Sequence, residues 1–91
     1  MTEVIALEGK LDIRAVGPLH ELLGRHLSGD VTLDMDQVTH VGALCLQTLI
    51  GAARAVRATG HQLAFVNVSD ALEVQFRTMG ATPALISEGA P

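Results

Sequence analysis

The four histidines and the single cysteine are the side chains with the clearest potential for catalysis or metal binding. His20 and His26 are six residues apart, on different faces of a helix, and neither they nor His40 and His61 have further donors at zinc-site spacing. Cys45 follows His40, but it lies in an apolar stretch where a small thiol packs well. Cys45 also lies near the start of a predicted helix, and a helix N-terminus lowers the pKa of a thiol. A catalytic role for Cys45 is therefore the less favoured alternative. We therefore predict no metal site and no cofactor.

Two carboxylates follow an apolar strand pattern and are the remaining candidates for chemistry. Asp34 and Asp36 are two residues apart, so they share one face of a strand and could flank a site. An exposed strand end is the commoner place for such residues. The glycines match neither a phosphate-binding loop nor a dinucleotide fingerprint, and no Gly-Lys-Ser/Thr occurs. The residues therefore predict no enzyme.

Length and composition predict a single globular domain over residues 1–91 and exclude nucleic acid as a partner. The 91 residues are 48% hydrophobic and 18% charged, with a net charge of −4 and only 2% aromatic residues. Binding to nucleic acid needs a basic patch or stacking aromatic rings. The start of the chain is polar and acidic, and the apolar stretch at 44–56 is interrupted by Gln47, Thr48 and Arg54. These features predict a cytoplasmic protein with no signal peptide and no direct membrane insertion.

Strand and helix patterns alternate along the chain and position the candidate residues. Continuous or alternating apolar residues predict short strands at 4–7, 31–36, 63–66 and 85–86. Apolar residues spaced three and four apart predict helices at 16–27, at 42–59 and from a cap at Ser69 or Asp70 to residue 79. This alternation predicts an α/β fold, a mixed β-sheet with helices packed on it.

The stretch from Asp34 to Ala55 resembles the signature region of STAS domains, the family of sulfate transporters and anti-sigma-factor antagonists. In that family a strand leads into an Asp-Ser-x-Gly-Leu motif, which opens the next helix. A gapless overlay places the family's Asp on Gly42, its Ser on Ala43, its Gly on Cys45 and its Leu on Leu46. The resemblance implies a STAS-like mixed sheet of four to five strands with helices packed on it.

Two further segments extend this resemblance over nearly the whole chain. Residues 8–12, Glu-Gly-Lys-Leu-Asp, resemble the family's Gly-x-Leu-Asp turn before the first helix. Residues 63–80, a strand followed by an amphipathic helix, complete the match.

The chain departs from the family motif at the phosphorylated serine. In classical members a partner kinase phosphorylates this serine, and phosphate adds a charge of about −1.5 to −2 that disrupts docking. Ala43 has no hydroxyl, nor do Gly42 and Leu44, and Thr39 and Thr48 are the nearest residues that have one. The resemblance therefore implies a docking module without the usual phosphorylation site.

The function that the resemblance implies is a non-catalytic protein–protein interaction module in bacterial signalling, anti-sigma-factor antagonist-like or chemotaxis-associated. Its partner would be a kinase-like anti-sigma factor or another signalling protein. The alternative is a STAS subunit of a phospholipid-transport ABC complex, which binds the ATPase of that complex. The predicted docking residues act by contact and shape, and they are His40, Val41, Gly42, Ala43, Leu44, Gln47, Asp12, Asp34 and Asp36.

Overall fold

Three strands alternate with helices in the computed structural model, which describes residues 2–26, 29–82 and 86. The strands are β1 (Thr2–Leu11), β2 (Asp30–Val41) and β3 (Leu63–Val66). The α-helices are α1 (Val16–Gly24), α2 (Ala43–Ala58) and α3 (Asp70–Thr78). A short 3₁₀ helix (Ile13–Ala15) lies between β1 and α1.

The described strands form a parallel sheet in the order β1-β2-β3. In the register of the sheet, Ile5 lies beside Leu33, and Leu33 lies beside Phe65. A helix follows each of the first two strands, because parallel neighbours cannot be joined by a tight turn. The register of β1 against β2 shifts twice, and the second shift lies next to Gly9. Gly9 has a φ of 75°, a left-handed backbone that glycine adopts without a steric penalty.

All three α-helices pack on one face of this sheet. Buried side chains alternate along the strands, as Ile5 and Leu7 show in β1. The two phenylalanine rings, Phe65 of β3 and Phe76 of α3, meet edge to face with centroids 6.0 Å apart. The helices contribute to the same hydrophobic core as the strands through Leu19, Leu23, Leu46, Leu49, Ala53, Val56, Leu72 and Phe76.

The α/β class with helices packed on a sheet is confirmed, but the predicted mixed sheet of four to five strands was wrong. The described residues form three strands, and all of them are parallel because helices connect them. The strand predicted at 85–86 falls partly outside the described residues. Ile86 itself is helical, since its N–H donates to the carbonyl of Thr82, four residues earlier, at 3.0 Å.

Candidate docking surface

The ends of β1 and β2 meet at the first residues of α2. The N–H of Gly42 donates to the carbonyl of Leu11 over 2.8 Å. The thiol of Cys45 donates to the carbonyl of Asp12 over 3.3 Å. The Asp12 carboxylate accepts the N–H of Arg14 at 3.0 Å and so caps the 3₁₀ helix. Two hydrogen bonds therefore hold the Asp12 turn against the start of α2.

Gly42 occupies the N-cap position of α2 in an extended conformation, with φ −87° and ψ 167°. Its carbonyl accepts the N–H of Leu46 at 2.9 Å, which begins the hydrogen-bond pattern of the helix. A Cβ at this position would lie 3.3 Å from the Leu11 carbonyl oxygen and 4.0 Å from Nε2 of His40. Because β1 passes this close, glycine is the residue that fits here without displacing a neighbour.

The predicted docking residues differ in exposure, so some can contact a partner and others pack in the core beneath the surface. Ala43 and Gln47 are exposed, and the Leu44 side chain is 53% exposed. Val41 and Cys45 are buried in the core. The side chain of Val41 therefore supports the start of α2 from below, and it is not available for contact with a partner.

Ile13 is an exposed residue of this region that the sequence patterns did not single out. It is 73% exposed and lies in the 3₁₀ helix, which contacts α2. The sequence signal is an apolar residue that directly follows the Asp12 turn. The exposed residues around the first turn of α2 form the α2-start surface, which consists of Ile13, His40, Ala43, Leu44 and Gln47.

Asp34 and Asp36 do not join the α2-start surface. β2 continues to Val41, so both residues lie within the strand and do not follow it. Asp34 is seven residues before Val41, which corresponds to roughly 23 Å along an extended strand.

The Asp34 carboxylate has a local role in the sheet. It accepts a hydrogen bond from the Asn67 side chain and another from the Asp36 N–H, each at 3.0 Å. These bonds, Asn67 first, hold the pKa of Asp34 below its usual value, because they stabilise the ionised form. Asp34 therefore fixes the chain around Asp36 and Asn67.

The surroundings of Cys45 disfavour thiolate chemistry. Burial raises the pKa of the Cys45 thiol, and the negative charge of Asp12 raises it further. A catalytic cysteine needs the opposite shift, which a neighbouring cation or general base would produce. The buried thiol instead links the Asp12 turn to α2 through its hydrogen bond.

The residues with a hydroxyl that are nearest to Ala43 along the chain are Thr39 and Thr48. Thr48 donates its hydroxyl to the carbonyl of Leu44 at 3.0 Å, within the first turns of α2. Thr39 is exposed on β2, ahead of the helix. Position 43 itself presents a methyl group at the exposed start of α2.

The described residues include no candidate metal-binding group and no candidate membrane-spanning helix. Among them, no three His, Cys, Asp or Glu side chains are grouped in a way that could hold a metal ion. None of the described helices combines the length and the apolar character needed to cross a membrane.

A family model described as "Mlab, STAS domain" matches residues 1–86. No curated protein matches the sequence. Among solved structures, the fold is similar to that of the anti-sigma factor antagonist SpoIIAA in its unphosphorylated form, with a TM-score of 0.69. The superposition covers 89% of this chain and 76% of that chain at 19% identity, a level at which the similarity concerns the fold.

Proposed function

The chain belongs to the STAS domain family, and we propose that it is a non-catalytic module that docks onto a partner protein through the α2-start surface. The observation that carries this proposal is that apolar side chains are exposed at the start of α2, next to a residue of the same turn that is buried in the core. Leu44 and Ile13 are 53% and 73% exposed, while Cys45 beneath them is fully buried. Contiguous patches of exposed apolar side chains are typical of interaction sites.

Burial of these side chains supplies the driving force for docking. Full burial of a leucine or isoleucine side chain contributes about 1.5–3 kcal/mol, so the exposed parts of Leu44 and Ile13 contribute about 1–2 kcal/mol each. The hydrogen bonds between the Asp12 turn and α2 hold the surface in one arrangement before the partner arrives. Such preorganisation lowers the entropic cost of binding.

The surface docks without a phosphorylation switch at the start of α2. Ala43 offers no hydroxyl, and the Thr48 hydroxyl already donates to the Leu44 carbonyl. A phosphate at position 43 would place a charge of about −1.5 to −2 on this apolar surface. Since position 43 cannot carry one, phosphorylation at this position does not switch the surface off.

The first candidate partner is a kinase-like anti-sigma factor or another bacterial signalling protein, including one of a chemotaxis system. The support for this choice is the similarity of the fold to the anti-sigma factor antagonist SpoIIAA, over 89% of this chain. In this role the protein acts in the cytoplasm and holds its partner by contact alone.

The second candidate partner is the ATPase of a phospholipid-transport ABC complex, in which the protein would be a STAS subunit. The observation that favours it is the alanine at position 43, because a permanent subunit needs a surface that is never switched off. The same docking residues serve both candidates.

Affinity purification from the native host distinguishes these candidates. The full chain is tagged, captured at physiological salt and compared with an untagged control by mass spectrometry of the bound proteins. A histidine-kinase-like or chemotaxis protein supports the signalling role, and an ABC ATPase with its permease supports the transport role. Absence of any protein above the control level would contradict docking as the function.

A further inference from the structure

A groove runs between α1 and α2, beside the α2-start surface. It encloses a volume of about 520 Å³. Leu23 of α1 and Ala52 of α2 are buried beside it, and Leu44 is exposed at one end. Most of the residues that line it are small or apolar, and Gly24, Leu44, Gly51 and Ala55 are among them.

Each wall of this groove contains a helical glycine that the fold itself does not require. A Cβ placed on Gly24 or on Gly51 would meet nothing within 4 Å. Glycine in a helix interior costs about 1 kcal/mol relative to alanine, so Gly51 destabilises α2 without a packing reason inside the described chain. Open space above both backbones gives an incoming polypeptide room to approach closely.

The groove is continuous with the surface proposed above for docking. Leu44 and Gln47 belong to both. Along α2 the groove extends from Leu44 to Ala55, which is about 16 Å at the rise of an α-helix. A helix of about three turns has this length, and a groove between two helices is a recurrent binding site for a third.

The charged residues beside the groove indicate which charge a molecule bound in it should have. Arg54 is exposed beside Gly51 and Ala55, and no carboxylate of the described residues forms an ion pair with it. α2 contains no acidic residue, and the Glu21 carboxylate of α1 is engaged with Arg25 at 3.0 Å. A chain with a net charge of −4 thus presents a local cation at the far end of the groove.

We propose that the groove between α1 and α2 receives an amphipathic α-helix of the partner protein. The apolar stripe of that helix lies between the walls formed by Gly24 and Gly51, and an acidic side chain pairs with Arg54. This inference rests on the proposed function and identifies the part of the partner that the protein recognises.

Photo-crosslinking in the native host tests the inference with the full tagged chain. Benzoylphenylalanine replaces Gly51 in one strain and Gly17 in another. Gly17 is a matched control, because it is an exposed glycine of α1 outside the groove whose Cβ would also meet nothing within 4 Å. The groove is supported if position 51, and not position 17, links to a peptide with helical apolar spacing and an acidic residue. No link at position 51 overturns it, as does a link to a lipid, to a second copy or to a peptide without that spacing.

Affinity for the purified partner gives the second readout. Gly51→Leu places a side chain in the groove, and its Cβ would meet nothing within 4 Å in the free protein. We expect this variant to weaken binding at least about tenfold, while Gly17→Leu stays within about twofold. Arg54→Glu should weaken binding severalfold and reduce its dependence on salt. If Gly51→Leu binds like the wild type while Ala43→Asp does not, the groove is overturned and the docking function stands. If neither change weakens binding, docking through the α2-start surface fails as well, and the partner binds elsewhere on the protein.

Discussion

The side-chain oxygen of Gln75 in α3 accepts a 2.9 Å hydrogen bond from the backbone N–H of Val41, the last residue of β2. The last pair between β2 and β3 is Asp34 with Val66, so β3 does not reach Val41. On the opposite side, the Leu11 carbonyl of β1 accepts the next N–H along the chain. A side chain of α3 therefore takes the place of a longer β3 at the point where α2 begins.

Gln75→Leu tests how much this hydrogen bond contributes to stability. The variant keeps the size of the side chain but leaves the Val41 N–H without its acceptor, and we expect the free energy of unfolding to fall by about 1–2 kcal/mol. Urea unfolding measures the change. Gln47→Leu is the control, since Gln47 is exposed and should change stability by less than about 0.5 kcal/mol. Equal stabilities of the two variants would contradict the role of Gln75.

Ser69 begins α3 by accepting the N–H of Leu72 at 3.2 Å. Ser69→Ala removes this cap, and we expect a loss of about 1 kcal/mol in the free energy of unfolding, measured by urea titration. Ser69→Asp keeps a capping oxygen and adds a favourable interaction with the helix dipole, so it should restore the lost stability. A destabilised Ser69→Asp variant would show that the hydroxyl has some other role.

Asp34 makes stability depend on pH in the acidic range. Hydrogen bonds from Asn67 and Asp36 lower its pKa in the folded state, so its contribution is present above the unfolded pKa of about 3.9 and is lost as the pH falls further. Unfolding midpoints in urea between pH 5 and pH 3 should therefore fall less steeply for Asp34→Asn than for the wild type. Glu8→Gln is the control, since its exposed carboxylate accepts no hydrogen bond from the described residues. An identical slope for Asp34→Asn and the wild type would contradict this assignment.

Cys45 should be unreactive in the folded protein. Burial excludes reagents and raises the pKa of the thiol, so the thiolate fraction at pH 8 is below that of a free cysteine. We expect Ellman's reagent to label the native protein only as fast as it unfolds, and to label one equivalent at once in urea. Rapid native labelling would reopen the alternative of a nucleophilic cysteine.

Local apolar patterns in the sequence predicted the bounds of β3 and α2 closely. β3 lies at 63–66, as its apolar run predicted, and α2 begins and ends within one residue of the predicted helix at 42–59. β1 and β2 extend further than predicted, to Leu11 and to Val41. Their added residues are largely polar, and they are extended because the two strands pair with each other. That pairing is a tertiary interaction, which the local pattern of one segment does not contain.

The start of α2 and its approach to the Asp12 turn could be predicted from the sequence motifs, but the neighbouring contacts could not. Asp34 and Asp36 were predicted beside the surface because the strand was expected to end there. Gln75 is 34 residues from Val41 along the chain, and their hydrogen bond depends on how α3 packs. Ile13 belongs to the surface only because the 3₁₀ helix turns it outward beside α2.

The affinity of the Ala43→Asp variant for the purified partner tests the docking surface most directly. Ala71→Asp is the matched control, because both alanines are exposed in the first turn of a helix, where an aspartate favours folding. The two variants therefore differ in where the added charge lies and not in its kind. We predict that Ala43→Asp lowers the affinity at least about tenfold while Ala71→Asp stays within about twofold of the wild type. A folded Ala43→Asp variant that binds as tightly as Ala71→Asp would contradict docking through the start of α2.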